Sequence, residues 1–197
     1  MIRFILTFFL LFIACTNPFS TREPDPPRTT NQPLPSNVLQ NHPDSLLAKL
    51  QYAFQDANRF YYKECLADSS QPDIDIRFVF IATQDERERL TGWTRQDEIN
   101  YFDQLSSDDE IESKTLQIYD KQPEWAPLGD SQDSLQNRFS YQIVLKFKTR
   151  KETYEGQGIF KIIRSSRSLW YIYYWEDLPS SSDQVDGTWS TLKANYR

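Results

Sequence analysis

The sequence predicts an α+β domain in which helices near the N-terminus pack into a strongly bent antiparallel sheet. Three observations carry that prediction. Between residues 43 and 105, apolar side chains recur mainly at the helical period. From residue 137 to 178 they alternate with polar ones along three long stretches joined by short polar turns. Aromatic residues make up 15% of the 197-residue chain, enough to build a core around.

Taken in order, "PDSLLAKLQYAFQDANRFYYKECLAD" (residues 43–68) reads as two consecutive helices. Pro43 and Asp44 open the first, with Asp44 or Ser45 as N-cap. Leu46, Leu47, Leu50, Phe54 and Ala57 share one face of it. Asn58 caps a second, shorter helix that buries Phe60, Tyr61 and Cys65 or Leu66. "DIDIRFVFIAT" (73–83) alternates, with Ile74, Ile76, Phe78 and Phe80 on one side, and predicts a strand. "GWTRQDEINYFDQL" (92–105) starts a third helix, with Thr94 as N-cap and Asp97 answering it in capping-box position. Its buried stripe is Ile99, Phe102 and Leu105.

The remainder is rich in strands. "ESKTLQIYD" is followed by a loop, "KQPEWAPLGDSQDS", full of turn residues. Then come "NRFSYQIVLKFKTR", "ETYEGQGIFKIIR" and "LWYIYYWEDL", three long strands. In the first, Phe139, Tyr141, Ile143, Leu145 and Phe147 face one way, with Lys146 and Lys148 opposite. Gly156 and Gly158 interrupt the second, where strand-interior glycines often mark a bulge or a bend.

The N-terminus speaks to location. Arg3 precedes an apolar run at residues 4–14, which is shorter than the roughly 20 residues needed to cross a bilayer. "LFIAC", ending at Cys15, resembles the lipobox of bacterial lipoproteins, in which the cysteine is acylated and the chain is cut before it. The proline-rich tract after it cannot bury enough apolar surface to order itself and reads as a tether. Four segments follow: a signal peptide at 1–14, a lipidated cysteine and tether at 15–42, a domain at 43–178, and a tail at 179–197 that packs on the domain. Thr16 stands where Asp would signal inner-membrane retention in enterobacterial lipoproteins, so the resemblance implies the periplasmic side of the outer membrane.

The order of elements, the opener "LLAKLQYAFQDANRFYYKECLADS", the passage "FVFIATQDERERLTGWTRQDEINYFDQL" and the closing "SLWYIYYWEDL" resemble the NTF2-like (SnoaL-like, cystatin-like cone) superfamily. Trp170, Ile172, Trp175 and Asp177 match the "W-x-I-x-x-W-x-D" ending of such domains. The tail "GTWSTLKANYR" is similar to the terminus of uncharacterised envelope lipoproteins that carry this domain. The resemblance implies a cone whose mouth lies between the helices and the concave sheet face, and in some members an inward Asp or His acting with a Tyr as an isomerase or cyclase. It also implies that a homodimer formed sheet to sheet is open to this chain.

Composition limits the functions. A net charge of −6 with no basic run argues against nucleic-acid binding. The one histidine, His42, lies at the end of the tether, so acid–base work in the domain would fall to carboxylates. With two cysteines, Cys15 and Cys65, there is no disulfide framework, and Cys65 reads as a small buried hydrophobe. No metal or cofactor is expected. Trp93 and Arg95 flank a helix start, where backbone N–H groups attract anions. They either rim a pocket for an acidic or small apolar ligand or serve as a helix cap with a packing lid. In "YIYYWED", Tyr171, Tyr173 and Trp175 share one face, and Trp170, Ile172 and Tyr174 the other. One set is core; the other is covered by the tail or exposed for a partner. Tyr101, Tyr173, Trp175 and Asp177 complete the candidate pocket or rim. The expected function is a membrane-anchored, non-catalytic domain that binds a small ligand or an envelope protein. The alternatives are an enzyme using an inward carboxylate and Tyr, or an assembly scaffold.

Overall fold

The computed structural model describes residues 39–69, 73–180 and 185–197; Cys15, the apolar run before it and most of the proline-rich tract lie outside these residues. Helix α1 (Pro43–Gln55) begins at a proline, whose missing N–H is no loss in a first turn. Its N-cap is therefore His42, not Asp44 or Ser45: Nδ1 accepts the Asp44 N–H at 3.2 Å. Leu46, Leu47, Leu50, Ala53 and Phe54 form its buried face. Gln40, within the tract read as tether, is already buried. The Trp170 N–H donates to its carbonyl at 2.7 Å, and its amide donates to the Glu64 carbonyl at 2.8 Å.

Ala57 adopts a left-handed φ of 51°, which resets the helical phase before α2 (Arg59–Cys65). Asn58 caps α2 by accepting the Tyr61 N–H at 3.0 Å. Because of the reset, α2 buries Tyr62 and Cys65, whereas Phe60 is 65% exposed and Tyr61 half-buried, contrary to the expected set. The stretch read as one strand at 73–83 divides. Ile74 packs with Ala67 and Tyr171 in a small cluster of its own, Phe78 joins the main core, and only β1 (Val79–Ile81) is a strand. Helix α3 (Arg95–Ser107) carries the expected Thr94–Asp97 capping box. Its buried positions are Glu98, Tyr101, Phe102 and Leu105, so the stripe is rotated from the expected one and Ile99 is half-buried.

The sheet adds β2 (Ile111–Tyr119), β3 (Ala126–Leu128), β4 (Ser131–Phe147), β5 (Lys151–Arg164) and β6 (Trp170–Pro179) in the order β1-β6-β5-β4-β2, with β3 also on β4. The stretch read as a loop at 121–134 thus holds a hairpin, turning at Gly129 with φ 70°. All pairs are antiparallel except β1 with β6. The architecture is the expected α+β one, with helices against a bent, unclosed sheet.

Two details of register correct the expectations. The β4–β5 ladder runs unbroken from Ser134 opposite Ile163 to Lys146 opposite Lys151, so Gly156 and Gly158 mark no bulge. They are recesses: a Cβ on Gly158 would lie 2.6 Å from the Phe139 ring, and one on Gly156 would strike the Tyr141 hydroxyl and the Leu178 carbonyl. The bulge sits instead between β5 and β6. Lys161 pairs with Tyr174 but Ile162 with Ile172, leaving Tyr173 as the extra residue. Strict alternation through "YIYYWED" therefore fails. Trp170, Ile172 and Trp175 all belong to the main core, while Tyr171 packs in the separate cluster with Tyr173 against it.

Candidate functional site

Four of the candidate residues, Tyr101 on α3, Trp175 and Asp177 on β6, and Trp93 just before α3, are buried around the tail. What brings them together is a helix the sequence did not announce, α4 (Trp189–Asn195), inside the tail. Trp189, Leu192 and Lys193 share its buried face. Trp189 stands edge-on to Trp175 with ring centres 4.4 Å apart, and its Nε1–H donates to the Tyr101 hydroxyl at 3.0 Å.

Lys193 is fully buried among these rings. Its ammonium lies 2.8 Å from Glu98 Oε2, also fully buried, and makes no other polar contact among the described residues. The ring centres of Phe80 and Trp175 are each 3.5 Å from it, and those of Tyr101 and Trp189 each 5.9 Å. Glu98 is itself oriented: the Tyr62 hydroxyl donates to Oε1 at 2.6 Å and the Trp93 indole to Oε2 at 2.8 Å. The indole N–H of Trp175 has no acceptor among the described residues.

Burial draws Lys193 down to about 8, against the pull of Glu98, while an unfolded lysine keeps its proton to 10.5. Between those values the unfolded chain binds more protons, so stability should climb from pH 8. Cys65, pushed up by burial from 9 to about 12, works in the opposite sense above pH 9, since there only the folded chain keeps that proton. Burial likewise holds Tyr62, Tyr101 and Tyr141 well above the ordinary phenol range, so stability should fall above pH 10. Urea midpoints across this range check the profile. The climb from pH 8 to 9 should vanish in Lys193→Met; its survival there would assign it to other groups.

Asp177 does a different job. Its Oδ1 accepts the Tyr141 hydroxyl at 2.5 Å, and its Oδ2 accepts the Ser190 N–H at 2.7 Å and the Ser190 hydroxyl at 2.6 Å. The Trp189 N–H in turn donates to the Tyr141 hydroxyl at 2.8 Å. The strand carboxylate therefore caps the tail helix, supplying acceptors that a helix's first N–H groups lack. Burial raises the Asp177 carboxyl above its usual value even so, because complete desolvation outweighs these bonds.

Trp93, one of those four, is core and not rim. The other candidates lie elsewhere. Tyr173 is half-buried away from the main core, with its hydroxyl 3.2 Å from Ser134 Oγ. Arg95 does reach a pocket. It lines a cleft of about 250 Å³ with Lys49, Lys63, Phe60, Leu66 and Asp68, and pairs with Asp68 at 3.2 Å. Trp93 and Arg95 diverge because they straddle the N-cap Thr94, where the chain turns from extended to helical. His42 is exposed, and Cys65 is buried with its thiol on the Tyr61 carbonyl at 3.2 Å.

Sequence reasoning passed over Glu98 and Lys193. Each stands on an apolar helical stripe: Glu98 with Phe102 and Leu105, Lys193 with Trp189 and Tyr196. Opposite charges on two apolar stripes were the available signal.

No protein-family model and no curated protein matches the chain. Among solved structures it is similar to the Kfla4162 protein of Kribbella flavida, at 8% identity over 76% of this chain and 93% of that one, with a TM-score of 0.52. It is also similar to an NTF2-like superfamily protein from Salmonella enterica, at 14% identity over 72% and 90%, TM-score 0.49. A third is an NTF-2 like protein of unknown function from Shewanella oneidensis, at 14% over 68% and 93%, TM-score 0.45. What the chain shares with the Kribbella protein, at that identity, is the fold alone.

Proposed function

We propose that the chain is a bacterial cell-envelope lipoprotein, anchored through Cys15, whose NTF2-like domain works by binding and not by catalysis. One observation carries the non-catalytic half. Asp177 and Tyr141, the pair an isomerase-like enzyme would use, are hydrogen-bonded to each other through Oδ1, and α4 engages the rest: Ser190 donates to Asp177 Oδ2 and the Trp189 N–H to the Tyr141 hydroxyl. The binding surface is then the cleft beside Arg95. Its cations, Lys49, Lys63 and Arg95, outnumber its anions, Glu64 and Asp68, and Phe60, Leu66 and Leu169 supply apolar wall. That chemistry suits a small amphipathic acid.

Calorimetry with decanoate tests the cleft: saturable binding that weakens about tenfold or more in Arg95→Ala supports it, as expected on losing a charge-assisted contact. No heat of binding, or equal binding by both proteins, sinks it. The anchor is tested separately. Full-length protein should fractionate with membranes and carry acyl chains on an N-terminal Cys15, and Cys15→Ser should be released; a wild-type chain that is soluble and retains residues 1–14 refutes the anchor. The enzyme reading rests on Asp177 lying beside Tyr141, and it requires α4 to leave.

A further inference from the structure

The polar centre of the domain is built in a way that a structural ion pair does not require. Glu98 is held by Tyr62 and Trp93, and two of the rings around the ammonium, Phe80 and Trp175, lie within 3.5 Å of it. None of these five residues belongs to α4. The carboxylate already has two donors aligning it, and three of the four rings, Phe80, Tyr101 and Trp175, stand on the sheet and α3, so most of the receiving half is built without the tail. The tail supplies the cation, on a flexible alkyl stem, and the more distant ring of Trp189. A buried ion pair is weak evidence for stability, since well-packed apolar side chains of similar volume usually do as well. An aromatic box with one preoriented carboxylate is how proteins recognise organic ammonium ions.

We infer that the hollow between α3 and β6 is a binding site for a primary alkylammonium group, and that in this chain Lys193 occupies it as an intramolecular ligand. The ligand class is an aliphatic amine: one charge, a slender apolar stem, no bulk at nitrogen. A free alkylamine or a lysine from another chain would compete for the same box whenever α4 undocks. This site is separate from the cleft beside Arg95, and its fate does not depend on that cleft.

The test empties the box and refills it. In full-length Lys193→Ala, with the rest of α4 in place, ethylammonium or n-propylammonium should bind saturably. At ten times its dissociation constant it should shift the folding equilibrium about elevenfold toward the native state. The neutral isosteres ethanol and 1-propanol should do much less, and Glu98→Gln in the same background should abolish the preference for the ammonium. If Lys193→Ala does not fold alone, the ammonium present during refolding should restore the native near-ultraviolet signal of the tryptophans. Equal effects of ammonium and alcohol, or no rescue in either format, overturn the inference.

Discussion

Glu98→Leu should lower the unfolding free energy by about 3–5 kcal/mol, the usual consequence of leaving a buried charge without its partner. The effect is large because Lys193 is fully buried, with Glu98 as its one ion-pair partner among the described residues and four aromatic faces around its ammonium. The same substitution strips the Tyr62 hydroxyl and the Trp93 indole of their acceptor. Lys193→Met should also destabilise, and by less, since Glu98 would keep those two donors. The double variant, Glu98→Leu with Lys193→Met, should recover much of the loss, with a coupling energy of roughly 1–3 kcal/mol. Urea unfolding of the four proteins closes the cycle. An unchanged midpoint in Glu98→Leu would show that the pair is not charged in the folded chain.

Asp177→Ala should free the tail helix. The substitution removes the acceptor for the Tyr141 hydroxyl, the Ser190 N–H and the Ser190 hydroxyl together, and buried donors left unmatched cost about 1–3 kcal/mol each. Local opening rather than global unfolding is the expected outcome, because α4 is a short, seven-residue helix while the backbone ladder of β4 with β5, Ser134 to Lys146, is untouched by the substitution. Trypsin reports it directly. The bond after Lys193 is buried in the parent and should resist cleavage, whereas Asp177→Ala should lose its last residues under native conditions. Equal resistance in both proteins would mean that ring packing around Trp189, and not the Asp177 cap, holds the tail.

These two substitutions also mark where sequence reasoning stopped. The capping box at Thr94 and Asp97, the Asn58 cap and the alternating core face of β4 were all legible, because each depends on neighbours a few residues apart. The phase of α2 was not, since one left-handed residue, Ala57, decides it. The faces of β6 were not either. The bulge at Tyr173 arises between strands and leaves no sign in the alternation of either one.

The candidate site divides along the same line. Trp175 and Asp177 were marked as residues that mattered, yet as the wall of an open pocket, when in fact Trp189 and Lys193 fill the space in front of them. By itself, then, the sequence determined most of the elements, the Asn58 and Thr94 caps, the α+β class and the expectation of a lipid-bearing Cys15. The tertiary structure alone decided that Glu98 on one helix meets Lys193 ninety-five residues later, and that Asp177 closes the tail onto the sheet. Local pattern reports which way a side chain points within its own element. Which charge it meets depends on how distant elements pack, and a buried charge that is matched across such a distance looks in sequence like a flaw in an apolar stripe.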